Sequence, residues 1–266
     1  MPDAVTAGIW QFDARPGRIE ANLKSAQEGL SRLAEQGAAL ALLPEMFSCG
    51  FDYPDMAAHA ARTPMILDAL ARQAQASGLV IAGSLPEKDP ENEGNGITNS
   101  LFVIDADGEI AGRYRKIHLF PPIDEDRHLQ PGSQPVVCHT RAGALGLMIC
   151  FDLRFPELCR TLWLKGAQIV VVCAQWPASR IAHWETLLRA RAIENQLFVL
   201  GANRYGEDPD LFFNGHSQMI APTGEVLAFS AAPESGLTAP LDLSAIDEAR
   251  SAFDCRALRV PSAYTY

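Results

Sequence analysis

The chain has 266 residues, 48% of them hydrophobic and 20% charged, with a net charge of −10 at pH 7. It is long enough to bury a sizeable core, and its acidic balance argues against a general nucleic-acid or anionic-membrane surface. Its longest apolar stretches, around 169–174 and 40–43, are far too short to span a bilayer.

Met1-Pro2-Asp3-Ala4 carries no basic-then-apolar leader. Six cysteines (Cys49, Cys138, Cys150, Cys159, Cys173, Cys255) form no C-x-x-C pair. Free thiols in a reducing cytoplasm are therefore expected.

In chain order, Val5–Phe12 reads as a strand with Ala7, Ile9 and Gln11 on one face. Ile19, Leu23, Ala26, Leu30 and Leu33 recur at helical spacing and predict one apolar helix face, ended by Gly37. Ala39–Leu43 is a compact strand leading to Pro44-Glu45. Thr63-Pro64 has the form of an N-cap followed by proline at the first helical position, with Gly78 as the C-terminal stop. Leu79–Ser84 is the next strand, and Lys88–Gly96 an exposed acidic loop. Strands at Thr98–Ile104 and Glu109–Arg115 flank Asp107-Gly108, a hairpin signal. Pro121–Gly132 is irregular, and a loop of that length inside a compact domain is more often functional than idle.

The run Ala144–Ile149 predicts a short buried strand that stops at Cys150. Pro156 and Glu157 suit the first turn of a helix extending to Lys165. Ile169–Cys173 is a strand buried on both faces. A helix at Ile181–Asn195, a strand at Phe198–Ala202 and a polar loop at Arg204–Gly215 follow. Gln218–Ile220 and Val226–Phe229 form a second hairpin around Pro222-Thr223-Gly224, before a last strand at Gly236–Leu241 and a short helix near Leu243–Ala249. Alternating strands and helices predict an α/β fold, and the inserted hairpins predict mixed sheets. No linker divides the chain, so one domain is expected, with a core of about 5–241 and a tail of 242–266.

Three strand ends carry reactive groups: Glu45, Lys116 and Cys150. If the strands bring them to one sheet edge, they supply a general base, an oxyanion-stabilising cation and a nucleophile. A cysteine between a strand end and a helix start sits where chemistry tends to sit in α/β folds. A nearby helix N-terminus or cation there would lower its pKa. Taken singly, each of the three residues has a bland alternative: a buried thiol, an exposed acid, a solvated base.

Leu42-Leu43-Pro44-Glu45-Met46, Tyr114-Arg115-Lys116-Ile117-His118-Leu119-Phe120 and Ile149-Cys150-Phe151-Asp152-Leu153-Arg154-Phe155-Pro156-Glu157 occur in this order. The stretches from His183-Trp184 to Gln196 and from Gly215 to Gly224 extend the pattern. In these motifs the chain resembles the nitrilase superfamily, the carbon–nitrogen hydrolases. The resemblance implies an α-β-β-α sandwich of two mixed sheets with a Glu–Lys–Cys triad. Glu45 would be the general base and then the acid for departing ammonia. Lys116, helped by the Phe151 N–H, would hold the oxyanion of a thioester-forming reaction. Glu125 falls where the family often places a second glutamate, beside Asp124 and Asp126, with a positioning or acid–base role. No metal or organic cofactor is implied. A dimer or larger even homo-oligomer is.

Phe-Asp-Leu-Arg-Phe-Pro-Glu-Leu after the cysteine is similar to the amidase branch, and Gln175-Trp176-Pro177 with the segment beyond it is similar to omega-amidases. Such enzymes act on 2-oxo dicarboxylate monoamides. Arg154 is a candidate for the substrate carboxylate, or else an ion-pair partner of Glu157 or Asp152. Trp176 either walls the pocket or packs in the core. Deaminated glutathione and N-carbamoyl amines are alternative substrates within the superfamily. A cysteine–histidine hydrolase using His118 or another of the six histidines as base, or a non-catalytic interaction module, are the readings outside it.

Overall fold

A computed structural model describes residues 4–89 and 96–264. The first half contains β1 (Ala4–Gln11), α1 (Ile19–Glu35), β2 (Leu40–Leu42), α2 (Met56–Ser77), β3 (Val80–Lys88), β4 (Ile97–Ile104), β5 (Ile110–Arg115) and a single turn, α3 (Glu125–His128). The second contains β6 (Val137–Thr140), β7 (Gly143–Ile149), α4 (Pro156–Leu164), β8 (Ile169–Ala174), α5 (Ile181–Asn195), β9 (Phe198–Asn203), β10 (Tyr205–Asp208) and β11 (Leu211–Asn214). The chain then adds β12 (Ser217–Ile220), β13 (Val226–Ser230), β14 (Ser235–Asp242) and α6 (Ser244–Ala252).

Two six-stranded sheets result, ordered β14-β1-β2-β3-β4-β5 and β13-β12-β9-β8-β7-β6. Each has a parallel centre, β1-β2-β3 in one and β7-β8-β9 in the other, with antiparallel strands at its margins. The sheets pack face to face, with α1 and α2 outside the first and α4 and α5 outside the second. This is the expected α-β-β-α sandwich.

Period-2 alternation assigns each strand residue to a layer. Ala7, Ile9, Leu40 and Leu42 join Leu147, Ile149 and Val171 in the core between the sheets. Trp10, Ala41 and Leu43 face the other way, onto Leu30 and Leu33 of α1. Burying each such leucine contributes about 1.5–3 kcal/mol. The helix comes this close because residue 29 is glycine: a Cβ there would lie 2.2 Å from the Trp10 ring. The predicted face of α1 is the buried one, joined by Asn22, whose side-chain amide bonds Arg15 and Ser48 carbonyls.

Three expectations need correction. Helix α2 begins at Met56, and Pro64 lies inside it, so Thr63 is not an N-cap; its hydroxyl donates to the Pro86 carbonyl of β3 instead. The helix formers at 56–62 extend the helix backwards past the proline. The segment Arg204–Gly215 is a β-hairpin, β10–β11, rather than a polar loop. Strand β6, at the edge of the second sheet, was not anticipated. The predicted loop at Lys88–Gly96 lies mostly outside the described residues, and Lys88 itself closes β3. Among the described residues no helix is long and apolar enough to cross a membrane.

Candidate active site

The C-terminal ends of β2, β5, β7 and β8 open toward one rim, and each delivers a polar residue there: Glu45, Lys116, Cys150 and Gln175. All four line one cavity of about 180 Å³. Glu45 and Lys116 come from the first sheet, Cys150 and Gln175 from the second.

Lys116 Nζ donates to Glu45 Oε1 at 2.7 Å and to Glu125 Oε2 and Oε1 at 2.7 and 2.9 Å. The Asn99 amide donates to the same two acids, at 2.8 Å to Glu45 and 3.2 Å to Glu125. The other Glu45 oxygen accepts the Gln175 backbone N–H at 2.9 Å, and Glu125 Oε2 accepts the Phe120 N–H at 2.8 Å. Lys116, Glu45, Glu125 and Asn99 are all buried, so each depends on these partners for the hydration it has lost.

Burial opposes the charge on Lys116, but the Glu125 and Glu45 carboxylates outweigh it and raise the ammonium pKa well above its ordinary value. Burial raises the Glu125 pKa, and the Glu45 charge adds to that, against the pull of Lys116. The site therefore holds its lysine as a cation.

Cys150 begins a tight turn, Cys150–Arg154, with a left-handed backbone, φ 46°. Such a conformation costs on the order of 1–3 kcal/mol for a residue with a Cβ, and it persists where surrounding bonds enforce it. Here Asp152 enforces it. Its carboxylate accepts the Ile149 N–H at 3.0 Å from just before the cysteine, and the His118 N–H at 3.0 Å from just after the lysine. The Cys150 thiol lies in the fields of Glu45, Lys116 and Glu125. Its pKa is raised well above the usual thiol value, by burial first and by Glu45 second, with Lys116 opposing. This reverses the sequence expectation of a lowered pKa, because one ammonium does not offset two carboxylates and the loss of solvent. A neutral thiol beside a carboxylate acceptor is arranged for proton transfer during attack rather than for a standing thiolate.

Of the seven residues singled out in the sequence, Glu45, Lys116, Cys150, Phe151, Arg154 and Trp176 line the cavity. Glu125 does not; it stands behind Lys116 and reaches the cavity only through it. Arg154 pairs with neither Glu157 nor Asp152. Its guanidinium lies 4.8 Å over the Trp176 ring and 3.2 Å from His183 Nδ1. Trp176 is both wall and core, packing on Trp184 while its indole N–H donates to the Arg180 carbonyl at 2.9 Å. His118 is stacked on Phe155 and bonded to Asp152 at 2.8 Å, and it does not line the cavity.

Sequence reasoning missed Asn99, Arg180 and Tyr53. Asn99 had a signal: Thr98-Asn99-Ser100 is a polar run inside an otherwise apolar strand. Arg180 lines the cavity mouth near Arg154, over the Phe120 ring at 5.8 Å. Burial and the Arg180 charge both lower the Arg154 pKa. Among the described residues neither arginine has a carboxylate at ion-pair distance. Tyr53 lines the cavity with its hydroxyl buried and without a hydrogen-bond partner.

The carbon-nitrogen hydrolase family matches residues 6–251. A 2-oxoglutaramate amidase of Bacillus subtilis is 34% identical, over 92% of this chain and 93% of that protein. An omega-amidase of Xenopus tropicalis is 31% identical, over 96% of this chain and 95% of its own. The carbon-nitrogen hydrolase of Helicobacter pylori G27 superimposes with a TM-score of 0.91 at 26% identity, covering 98% of this chain and 97% of that one. A variant of the amidase from Nesterenkonia sp. AN1 carries the acetamide moiety of fluoroacetamide on its active-site cysteine; it superimposes at 0.82 with 28% identity, over 96% of this chain and 97% of that one. With its sandwich of two mixed sheets and a match running through nearly the whole sequence, this chain belongs to the carbon-nitrogen hydrolase family, enzymes that act on amide bonds.

Proposed function

We propose that the protein is a thiol amidase of the omega-amidase type, hydrolysing the terminal carboxamide of a small 2-oxo dicarboxylate monoamide to ammonia and the dicarboxylate. The reading rests on one observation above all: Cys150, Glu45 and Lys116 line a single small cavity, with Lys116 bonded to the Glu45 carboxylate.

Glu45 takes the thiol proton as sulfur attacks the amide carbon. Lys116 and the Phe151 N–H receive the oxyanion of the tetrahedral intermediate. Glu45 returns the proton to nitrogen, the C–N bond breaks, ammonia leaves and a thioester remains. Water, deprotonated by Glu45, then attacks the thioester carbon; the C–S bond breaks, the acid is released and the proton returns to sulfur. Glu125 holds Lys116 in place and keeps it charged. Arg154 and Arg180, resting on aromatic rings at the mouth with no acid of their own among the described residues, receive the substrate carboxylate.

The proposed setting is cytoplasmic, in keeping with cysteines that are all free among the described residues, and the proposed assembly is a homodimer or larger even oligomer. The decisive experiment measures ammonia release from 2-oxo acid amides, simple amides, N-carbamoyl amines and nitriles. Preference for the 2-oxo dicarboxylate monoamides is expected, and turnover confined to one of the other classes overturns the substrate assignment.

A further inference from the structure

Arg204 is fully buried at the junction of β9 and β10, and its guanidinium has no role in the chemistry described above. Two carboxylates hold it. Asp208 of the hairpin accepts the two arms of the fork at 2.8 Å each, and Asp13 accepts Nε and Nη2 at 3.2 and 3.0 Å. Nη1 also donates to Gln175 Oε1 at 3.0 Å, and the Phe213 ring lies 4.7 Å below the group.

The contact with Gln175 has a directional consequence. Arginine has donors only, so it forces the amide oxygen of Gln175 toward itself. The amide nitrogen then faces the other way, where it donates to the Glu45 backbone carbonyl at 2.8 Å. The Gln175 backbone N–H meanwhile holds Glu45 Oε2 at 2.9 Å. Gln175 thus grips Glu45 at both its main chain and its carboxylate, and Arg204 fixes which way round Gln175 sits. Without Arg204 that amide is free to rotate and present its oxygen to the Glu45 carbonyl, a contact between two acceptors.

Arg204 also fixes the pocket wall. Asp208, Pro209, Asp210, Leu211 and Phe213 of the hairpin line the same cavity as Cys150. The hairpin can lie against the Arg204–Asp13 pair because position 206 is glycine. Its φ is 148°, and a Cβ there would fall 2.1 Å from Asp13 Oδ1.

We propose that Arg204 is a positioning residue for the amidase reaction: through Gln175 it sets the direction of Glu45, and through Asp208 it sets the hairpin wall over the nucleophile. The inference rests on the reading of Glu45 as the base.

The test is a double-mutant cycle of Arg204→Lys and Gln175→Met, read as kcat and KM for ammonia release, with thermal unfolding to establish that each variant is folded. Each single change is expected to lower kcat about 10- to 100-fold with a smaller effect on KM. The double variant is expected to be no slower than the slower single one, because both changes break the same chain of contacts. Losses that multiply, or a folded R204K with wild-type kcat, overturn the proposal. Should R204K fail to fold, Q175M leaves the buried ion cluster intact, and unaltered kcat in that variant overturns the proposal alone. Glu45→Gln separates the two levels. Full activity in E45Q strikes down the base assignment itself, whereas an inactive E45Q with a multiplicative cycle removes only the role of Arg204.

Discussion

The Tyr114 hydroxyl donates to Asp152 at 2.7 Å, joining the strand that carries the lysine to the turn that carries the cysteine. Those two elements belong to different sheets. With the Ile149 and His118 amides also bonded to it, the Asp152 carboxylate fixes how far Cys150 stands from Lys116. Asp152→Asn exchanges an acceptor oxygen for a donor in a buried site. It is expected to destabilise the fold by about 2 kcal/mol or more, and to lower kcat at least tenfold through misplacement. Urea unfolding and steady-state kinetics check the two effects separately.

Removing the reacting groups has graded consequences. Cys150→Ala is expected to abolish ammonia release while leaving the fold intact, since alanine only shortens a side chain at the cavity wall. Glu45→Gln is expected to lower the acylation rate by at least about a thousandfold, which single-turnover mass measurement of the acyl-enzyme detects. Lys116→Met differs, because it strands two buried carboxylates without their counter-charge. It is expected to cost about 3–5 kcal/mol of stability, visible as a fall in the urea midpoint, along with all turnover.

Alkaline pH should unfold the protein through its thiols. Burial pushes Cys49, Cys138 and Cys159 up to about 12 and Cys173 well above the ordinary range; burial and Glu45 do the same to Cys150. In the unfolded chain these groups ionise near pH 8.5. Above that pH the unfolded state binds fewer protons than the folded one, so stability falls as pH rises and is fully present below it. Each thiol contributes about 1.4 kcal/mol per pH unit to this loss. Urea midpoints at pH 6.5, 7.5 and 9.5 should be level over the first interval and fall steeply over the second.

The two arginines at the mouth should separate charged from neutral substrates. Arg180→Gln is expected to raise KM for an amide bearing a distal carboxylate about tenfold, or about 1.4 kcal/mol, with little change for a neutral amide of the same length. Because Arg180 is exposed, the preference should weaken with added salt. Equal KM changes for the charged and neutral amides would place the carboxylate elsewhere.

The meeting of Glu45, Lys116 and Cys150 in one cavity was legible in the sequence because each falls at a strand end and because the order of their motifs is specific. The sandwich followed from that resemblance, and the mixed sheets from the hairpins. The β10–β11 hairpin was not readable, because Gly206, Asp208, Pro209 and Asp210 give its residues the composition of a loop. Its strand character lies in the backbone ladder that pairs Tyr205 with Asn214 and Asp208 with Leu211, and the Arg204 contacts that seat it are tertiary ones that no local pattern records. The helix start at Met56 was obscured by Pro64, whose usual position in the first turn drew the boundary toward itself. The direction of the Cys150 pKa shift depends on how many charges meet in space and how dry that space is. Neither quantity is written in the spacing of the chain.

Because Cys150 and Glu45, the proposed nucleophile and proton acceptor, hang from opposite halves of the sandwich, the proposed mechanism gives the protein no hydrolytic power until those halves have closed upon each other. A nascent chain that has built only its first layer holds Glu45 and Lys116 with nothing to activate, and one that has built only its second holds an inert sulfhydryl. Catalysis is thus a late reporter of assembly, and recovered turnover after dilution from denaturant times the docking of the layers rather than the formation of either one.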